Sequence, residues 1–338
     1  MNAPLQFATP LRVAIVGVGH VGATFAYTLL LNGLASEIVL IDKNRAKAEG
    51  EAMDLNHAVT FSHATRVWAG DFSDCAGAAL IVLAAGSLQK PGEKRLDLAG
   101  RNISIWREIV PQIVQHNPNA ILLIATNPVD VLTYATLKLS GLPPQRVIGS
   151  GTILDTGRFR YLLSEYFRVD ARSMHSFILG EHGDSEVPVW SLANIAGMKL
   201  REFCAARKME YDQQAMDEIF RHTRDAAYEI IERKGATYYA VAAGIMRLAQ
   251  AILRNQNTVL SVSSLVEDFY GISDVCLSLP SIVNCCGIGE VLRIQLDTSE
   301  IDQLRRSADS PKPFPAILPA HLTVRRSGFD PRTGSGAT

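Results

Sequence analysis

The chain has 338 residues, of which 47% are apolar, so it is long enough for two domains or one large α/β unit with a filled core. Its 33 lysine and arginine residues balance 34 aspartate and glutamate residues, and the charges are mixed along the chain. Nucleic-acid binding needs a basic surface that displaces counterions, so this balance argues against a nucleic-acid partner.

The cysteines and the apolar runs indicate the compartment. The five cysteines include no CxxC pair and no metal-type spacing, which favours reduced thiols, no disulfide and no metal site. Residues 1–10 lack the features of a secretory signal, and no apolar run reaches the roughly 18 residues of a membrane span. We expect a cytoplasmic protein without a membrane partner.

Five short apolar runs alternate with longer helical stretches from Arg12 onward. Strands that are apolar on both faces and separated by helices are typical of a parallel sheet covered on both sides. The pattern predicts the α/β class, with a doubly wound parallel Rossmann sheet in a domain at residues 11–150. The predicted strands are 13–16, 38–41, 80–83, 120–124 and 147–148.

After Gly151 the periodicity changes and predicts an α+β substrate-binding domain at residues 151–310. Residues 311–338 are rich in Pro, Gly, Ser and Arg, and we expect a C-terminal tail that is partly disordered. In the second domain the sequence predicts helices through 159–163 and near 216–233 and 239–253, an apolar run at 176–179, and antiparallel strands at 258–262 and 275–279.

A glycine-rich turn follows the first predicted strand directly and opens a helical stretch at 23–31. Its glycines match the GxGxxG pattern of dinucleotide-binding folds. Gly17 permits the tight turn, Gly19 lets the backbone approach a pyrophosphate, and Gly22 lets the helix pack on the strand. The N–H groups at the helix start would face the anion. An ordinary glycine turn is the alternative interpretation.

Asp42 ends the second predicted strand, where an acidic side chain can accept hydrogen bonds from the hydroxyl groups of an adenosine ribose. The same carboxylate would repel a 2′-phosphate, so the sequence predicts NAD rather than NADP as the cofactor. An aspartate that only caps the next helix is the alternative.

Two polar segments follow later strands at the sheet edge where doubly wound proteins bind ligands. Segment 86–95 is punctuated by glycine and proline, and we predict a lid that brings Arg95 to a carbonyl oxygen gaining negative charge. A solvated charge run fits this segment equally well. Asn127 follows the strand at 120–124, and its amide can hold a hydroxyl or carbonyl group.

Three further residues form a candidate catalytic group. Asp155 and Arg158 are one helical turn apart. A surface ion pair is the ordinary explanation, but beside a ligand crevice Arg suits a carboxylate and Asp suits the orientation of an imidazole. His182 lies in segment 180–183, which has a glycine at each end, and it can meet a ligand and titrate near neutral pH. A capping or core-edge histidine is the alternative.

Together these motifs resemble the L-lactate dehydrogenases of the lactate/malate dehydrogenase family, over about residues 11–310. The tail beyond this range is not covered by the resemblance. The matching segments are the glycine turn 17–22, Asp42, Gln89-Lys90-Pro91-Gly92-Glu93-x-Arg95, Asn127-Pro128-Val129-Asp130, Asp155-x-x-Arg158, Gly180-Glu181-His182-Gly183 and Lys234-Gly235-Ala236-Thr237-Tyr238-Tyr239.

The resemblance implies a role for each catalytic residue. Arg158 would pair with the substrate carboxylate while a hydride passes between substrate C2 and the nicotinamide ring. His182 would take the hydroxyl proton of lactate or return a proton to pyruvate, with Asp155 fixing its tautomer. Arg95 and Asn127 would polarise the carbonyl group.

Gln89 and Thr237 bear on the choice of substrate. The resemblance places Thr237 beside the C3 group, and it places Gln89 where the malate enzymes of the family have an arginine that pairs with a second carboxylate. A neutral amide cannot form that pair, so pyruvate is predicted over oxaloacetate. A longer 2-hydroxy acid or malate remains an alternative. A non-catalytic NAD-sensing module is another, although such a module would not need His182, Arg95 or Arg158.

The resemblance also implies the cofactor contacts, an effector and an assembly. Arg160 and His175 match positions that bind fructose 1,6-bisphosphate between subunits in the allosteric bacterial members. The family implies a homotetramer. The implied NAD-binding residues are Gly17, Val18, Gly19, Val21, Gly22, Asp42, Lys47, Gly86, Ser87, Thr126, Asn127, Ser150 and Val241.

Overall fold

Six strands of the amino-terminal part are β1 (Arg12–Val16), β2 (Glu37–Ile41), β3 (Arg66–Ala69), β4 (Ala78–Leu83), β5 (Ile121–Ile124) and β6 (Val147–Gly149). They belong to a computed structural model that describes residues 11–87 and 95–310, with the backbone alone at residues 95 and 96. The strands lie side by side in the order β3-β2-β1-β4-β5-β6, and every neighbouring pair is parallel. The predicted doubly wound parallel sheet is confirmed.

β3 is the strand that the apolar pattern did not predict. Within it Val67 is buried, Trp68 and Ala69 are half-buried, and Arg66 is exposed. β3 is the edge strand of the sheet, so helices cover it less than they cover β5, which is buried throughout. An edge strand needs no continuous apolar run, and the prediction of five strands in this part was therefore wrong by one.

Helices cover both faces of the parallel strands. On one face α1 (His20–Leu31), α2 (Arg45–Ala58) and α8 (Tyr239–Leu253) bury a cluster that includes Phe25 and Ile245. On the other face α3 (Arg95–His116) and α4 (Val129–Ser140) bury Trp106 and Leu132. No helix in the described ranges has the length and apolar character needed to cross a membrane. The other helices are α5 (Ile153–Phe167), α6 (Leu200–Ala206), α7 (Gln213–Lys234) and α9 (Thr298–Asp309).

Two small sheets follow β6 in the chain. Their strands are β7 (Met174–His175), β8 (Ile178–Leu179), β9 (Val187–Pro188), β10 (Asn194–Ile195) and β11 (Met198–Lys199). β11, β10 and β7 form one sheet, whereas β8 pairs only with β9, in antiparallel orientation. The turn between β8 and β9 carries His182.

Three antiparallel strands then extend the first sheet to nine: β12 (Thr258–Val266), β13 (Val275–Asn284) and β14 (Gly287–Val291). β12 joins β6 where Ser263 lies opposite Gly149, and a Cβ at residue 149 would approach Ser263 Cβ to 2.8 Å. The predicted antiparallel strands are confirmed. The sequence did not reveal that they continue the parallel sheet.

The nine-stranded sheet also holds the turn that carries His182. Gly180 and Ser278 of β13 exchange two backbone hydrogen bonds of 3.0 and 2.9 Å. Gly180 has a positive φ of 85°, and a Cβ there would lie 2.4 Å from Ser307 Oγ, so the chain passes between β13 and α9 only with glycine at this position. Sheet and helix thereby fix the start of the histidine turn.

Candidate active site

The glycine turn between β1 and α1 has the geometry that the GxGxxG pattern predicts. Gly17 has a φ of +98°, and a Cβ there would lie 2.3 Å from the Ala85 backbone nitrogen. A Cβ at Gly22 would lie 1.9 Å from the Gly17 carbonyl oxygen, whereas a Cβ at Gly19 would have no described atom within 4 Å. Gly17 and Gly22 permit close backbone packing, and Gly19 leaves open space above the turn.

The amino end of α1 fits a phosphate-bearing cofactor. Gly19 is the N-cap residue and provides no side-chain acceptor, and the first turn contains no acidic residue. No carboxylate of the first turn therefore competes with a bound anion for the N–H groups at the start of α1. Backbone donors together with the positive end of the helix dipole are suited to a pyrophosphate.

Asp42 lies beside this turn at the carboxyl end of β2. Its Oδ2 accepts a hydrogen bond from the Val18 backbone N–H over 2.9 Å, and its Oδ1 accepts one from Asn44 over 2.9 Å. The N-cap of α2 is Asn44, whose side chain accepts from the Lys47 N–H, so Asp42 is not the capping residue. Each carboxylate oxygen has a further lone pair for a ribose hydroxyl. Lys47 is exposed in the first turn of α2.

Asn102 joins the two later segments that the sequence predicted to contact ligands. Its Oδ1 accepts from the Ser87 N–H over 2.8 Å, and its Nδ2 donates to the Asn127 carbonyl oxygen over 2.9 Å. Thr126 Oγ1 donates to the Ala85 carbonyl over 2.7 Å, which ties the same strands together. No motif in the sequence marked Asn102 as a site residue. Its position on the apolar face of α3, four residues before Trp106, was the feature that could have indicated a buried amide.

Gly86 sits in the same junction, because a Cβ there would lie 2.5 Å from Thr126 Cγ2. Ser150 follows β6, and its N–H donates to the Ile124 carbonyl over 2.8 Å. Gly86, Thr126 and Ser150 therefore all lie at the carboxyl edge of the parallel strands, where a doubly wound sheet binds its ligands.

His182, Asp155 and Arg158 are in direct contact. His182 Nδ1 lies 2.5 Å from Asp155 Oδ2, and Arg158 Nη1 donates to Asp155 Oδ1 over 2.9 Å. Asp155 is in the first turn of α5 and is buried, and Arg158 lies three residues further on, where its side chain is 13% exposed. Because Nδ1 faces Asp155, Nε2 is the ring nitrogen that can meet a ligand.

The charges around His182 favour its protonated form. Burial is the largest single influence and disfavours the charged ring, but Asp155, Asp130 and Glu186 together outweigh it and raise the pKa of His182 to about 9. Burial also acts to raise the pKa of Asp155, but His182 and Arg158 prevail and hold it below its ordinary value. At neutral pH the site therefore holds an imidazolium paired with a carboxylate.

Two buried carboxyl groups near His182, those of Asp130 and Glu186, have no function that the sequence motifs predicted. Asp130 Oδ2 accepts from the His182 backbone N–H over 2.8 Å, and burial raises the pKa of Asp130 to about 6. Burial, together with the charge of Asp155, raises the pKa of Glu186 to about 9, so Glu186 is neutral at pH 7. Asp130 stood at the end of a recognised motif, whereas nothing in the sequence marked Glu186 as buried.

The start of α8 reaches the glycine turn. The ring of Tyr238 stacks on His20 at the start of α1, with centroids 5.1 Å apart and planes 20° apart. Thr237 immediately precedes Tyr238 in the chain, so this contact brings it near the glycine turn. Val241 lies in the first turn of α8, and with Val21 of α1 it packs on the core beneath the turn.

Two predicted site residues, Gln89 and Arg95, lie beyond or at the edge of the ranges that the structure describes. Gln89 lies outside the described residues, as do residues 88–94 of the predicted lid segment 86–95, and of Arg95 only the backbone is described, where it begins α3. Their roles stay predictions. Within residues 11–87 and 95–310, no group of three or more His, Cys, Asp or Glu side chains is arranged to hold a metal ion.

Arg160 and His175, the predicted effector residues, lie on neighbouring elements. Arg160 Nε and Nη2 donate to the Ser176 carbonyl oxygen over 3.0 and 2.8 Å, and the guanidinium lies 5.4 Å from the centre of the Phe177 ring. His175 is exposed at the end of β7, next to Ser176 in the chain. Ser176 thus fixes the edge of the Arg160 guanidinium that carries Nε and Nη2.

Comparison with protein-family models identifies both parts of the chain. Residues 11–149 match the model of the lactate/malate dehydrogenase NAD binding domain, and residues 152–312 match the model of the lactate/malate dehydrogenase alpha/beta C-terminal domain. The predicted NAD cofactor agrees with the description of the first domain.

Individual relatives cover most of the chain. It is 53% identical over 301 residues to an L-lactate dehydrogenase of Acetivibrio thermocellus, which covers 89% of this chain and 95% of that protein. It is 51% identical over 297 residues to an L-lactate dehydrogenase of Priestia megaterium, covering 88% and 93%. The crystal structure of a lactate dehydrogenase from a Medee basin deep-sea metagenome library superimposes with a TM-score of 0.87 at 41% identity, covering 91% and 99%. The chain belongs to the lactate/malate dehydrogenase family.

Proposed function

We propose that the protein is an L-lactate dehydrogenase that interconverts pyruvate and (S)-lactate with NAD as the cofactor. The contact of His182 and Arg158 with the two oxygens of Asp155 carries this proposal, because it places a proton donor and a carboxylate-binding cation side by side. The family and its lactate dehydrogenase relatives support the same activity. We also propose that the boundary between the NAD-binding domain and the substrate-binding domain lies near residue 150.

Arg158 binds and orients the substrate. Asp155 occupies Nη1, and Nε and Nη2 remain on the same planar guanidinium to form two parallel hydrogen bonds with a carboxylate. A 2-hydroxy acid held in this way carries its C2 substituents a fixed distance from the guanidinium. Bound NAD supplies the hydride acceptor at that carbon, and NADH the donor.

His182 moves the proton at the substrate oxygen. In the direction of lactate oxidation the neutral ring accepts the hydroxyl proton at Nε2, and Asp155 at Nδ1 stabilises the imidazolium that results. In the direction of pyruvate reduction the imidazolium donates the proton. We propose that Asn127 and Arg95 polarise the carbonyl oxygen.

A substrate panel tests the proposed function. We expect NADH oxidation with pyruvate, a lower rate with 2-oxobutyrate and phenylpyruvate, and about a hundredfold lower kcat/KM with oxaloacetate, whose second carboxylate Gln89 cannot neutralise. NADPH should give a far lower rate than NADH because Asp42 meets its 2′-phosphate. Gln89→Arg should move the preference toward oxaloacetate. A wild-type preference for oxaloacetate would identify a malate enzyme, and the absence of turnover with every acid would favour a sensing module.

We also propose that a sugar bisphosphate regulates the enzyme through Arg160 and His175. The carbonyl oxygen of Ser176 fixes one edge of the Arg160 guanidinium, whose positive charge suits a phosphate, and His175 is exposed next to Ser176 in the chain. Fructose 1,6-bisphosphate is expected to lower the KM for pyruvate, and Arg160→Gln with His175→Gln should remove the response. A flat titration of the wild-type protein with the bisphosphate would refute the regulatory role.

The proposed assembly is a cytoplasmic homotetramer. Large apolar side chains on the surface of the single chain support an association, among them Phe61 with 93% of its area exposed and Met53 with 62%. Exposed apolar groups of this size are typical of surfaces that a second subunit covers. Both lie at the carboxyl-terminal half of α2 and the turn that follows, so one interface would bury them together.

A further inference from the structure

Side chains from two distant parts of the chain hold the backbone of the histidine turn. The His182 N–H donates to Asp130 Oδ2 over 2.8 Å, and the Glu181 N–H donates to Ser307 Oγ over 2.8 Å. Asp130 lies in the first turn of α4, and Ser307 lies in the last turn of α9. Both side chains are buried. Two successive N–H groups of one turn are therefore held by side chains from two different helices.

We propose that Asp130 is a positioning residue that sets the place of His182 relative to the substrate oxygen, with Ser307 fixing the preceding residue. This inference rests on the proposed function of His182. Asn127 lies in the short connection between β5 and α4, and Asp130 lies three residues further along, in the first turn of α4. One short stretch of chain thus carries the amide for the carbonyl oxygen and the anchor of the histidine that exchanges a proton with the same oxygen.

The connection between β5 and α4 is itself well fixed. Asn102, which is fully buried, donates to the Asn127 carbonyl oxygen over 2.9 Å, and Val129 and Asp130 are buried at the start of α4. Proton transfer depends steeply on the separation and alignment of donor and acceptor. An attachment that runs from Asn102 through the connection to the His182 backbone keeps that separation constant when ligands enter.

The Asp130 carboxylate also acts through its charge. The charged and titratable groups that act on Asp130 or His182 are Asp155 from α5, Glu181 and Glu186 from the turn itself, and Cys276 from β13. Arg158 of α5 pairs with Asp155. Asp130 is one of the negative groups that raise the pKa of His182. Burial raises the pKa of Asp130 itself to about 6, which is still below neutral pH, so the carboxyl group is ionised at pH 7. Loss of this charge should move the pKa of His182 downward.

Asp130→Asn and Asp130→Ala separate the hydrogen bond from the charge. An asparagine Oδ1 can still accept from the His182 N–H, whereas alanine leaves that N–H without its acceptor. We expect Asp130→Ala to lower kcat for pyruvate reduction by about 10- to 100-fold with little change in the Kd of NADH. Asp130→Asn should recover most of kcat while the alkaline limb of its pH profile moves to lower pH. Ser307→Ala should give a smaller loss of kcat without that shift.

Hydrogen exchange of the His182 and Glu181 amides measures the attachment without reference to activity. We expect faster exchange at His182 in Asp130→Ala and at Glu181 in Ser307→Ala. Asn117→Ala is the matched control, because Asn117 is also buried and also bonds backbone groups, the Cys75 and Ala78 carbonyls, at the opposite end of β4. It should lower Tm while leaving the pH profile and both amides unchanged.

The outcomes separate the inference from the function on which it rests. A wild-type protein that does not reduce pyruvate overturns the proposed function, and amide exchange then still reports on the attachment. An active wild type with unaltered His182 exchange and a kcat within twofold in Asp130→Ala overturns the positioning role. The same kinetic loss in Asn117→Ala would assign the effect to general destabilisation. If Asp130→Ala does not fold, the pH shift in Asp130→Asn and the exchange in Ser307→Ala decide.

Discussion

His182→Asn is expected to lower kcat for lactate oxidation by about 10²- to 10⁴-fold, the range that general acid–base catalysis contributes. Asparagine occupies a similar volume and can hydrogen-bond Asp155, but it cannot carry the proton. The Kd of NADH, measured by fluorescence, should stay close to that of the wild type because His182, in the turn between β8 and β9, is not one of the residues proposed to bind the cofactor. A variant that retains the wild-type rate would show that another group moves the proton.

The dependence of kcat/KM on pH identifies the titrating group and the protonation state that each direction of the reaction requires. Because the pKa of His182 is about 9, pyruvate reduction needs the form present below pH 9, and its kcat/KM should be level near neutrality and fall above pH 9. Lactate oxidation needs the neutral ring, so its kcat/KM should rise toward pH 9 and level off beyond it. The two profiles should therefore share one pKa with opposite slopes.

Glu186 would titrate in the same pH range as His182, because its pKa is also raised to about 9. A substitution of Glu186 is therefore the control for assigning the alkaline limb to His182. Glu186→Gln should keep the alkaline limb, displaced a little to lower pH since Glu186 is one of the groups that raise the pKa of His182. His182→Asn should abolish the limb in its residual activity. Loss of the limb in Glu186→Gln would instead assign the titration to the carboxyl group.

Local patterns in the sequence were sufficient to predict the parallel sheet, the glycine turn and the neighbouring positions of Asp155 and Arg158. Each of these follows from a short-range rule: continuous apolar runs for strands buried on both faces, glycines where backbone segments meet, and a spacing of three residues for side chains on one helical face. Recognition of the family motifs joined His182 to this pair, because no periodicity relates a turn to a helix that precedes it.

Long-range contacts of side chains with backbone groups were not predictable. Ser307 holds the N–H of Glu181 across a sequence separation of 126 residues, and Asp130 reaches His182 across 52. A serine in a helix and an aspartate in a helical first turn have ordinary local explanations as solvent-facing and dipole-stabilising residues. Their burial depends on how α4, α9 and the nine-stranded sheet pack, and that packing is a property of the whole fold.

Substitution of Arg158 is expected to have an effect as large as that of His182. In Arg158→Leu the substrate carboxylate enters a partly buried site without a partner, and one oxygen of the Asp155 carboxylate loses its hydrogen bond. Breaking a buried ion pair by removing one partner costs about 3–5 kcal/mol, which corresponds to a fall in kcat/KM for pyruvate of about 10²- to 10⁴-fold. The Kd of NADH should not change.

Arg158→Lys sharpens the test because it keeps the charge and changes the geometry. A guanidinium can donate from Nη1 to Asp155 and from its other nitrogens to a carboxylate, whereas one ammonium group must serve both acceptors from a single point. We expect Arg158→Lys to lose about 10- to 100-fold in kcat/KM, the equivalent of one charge-assisted hydrogen bond. Comparison of pyruvate with its neutral methyl ester is the control for carboxylate recognition. The wild type should strongly prefer the acid, and Arg158→Leu should lose that preference; a ratio that survives in Arg158→Leu would place the carboxylate on another residue.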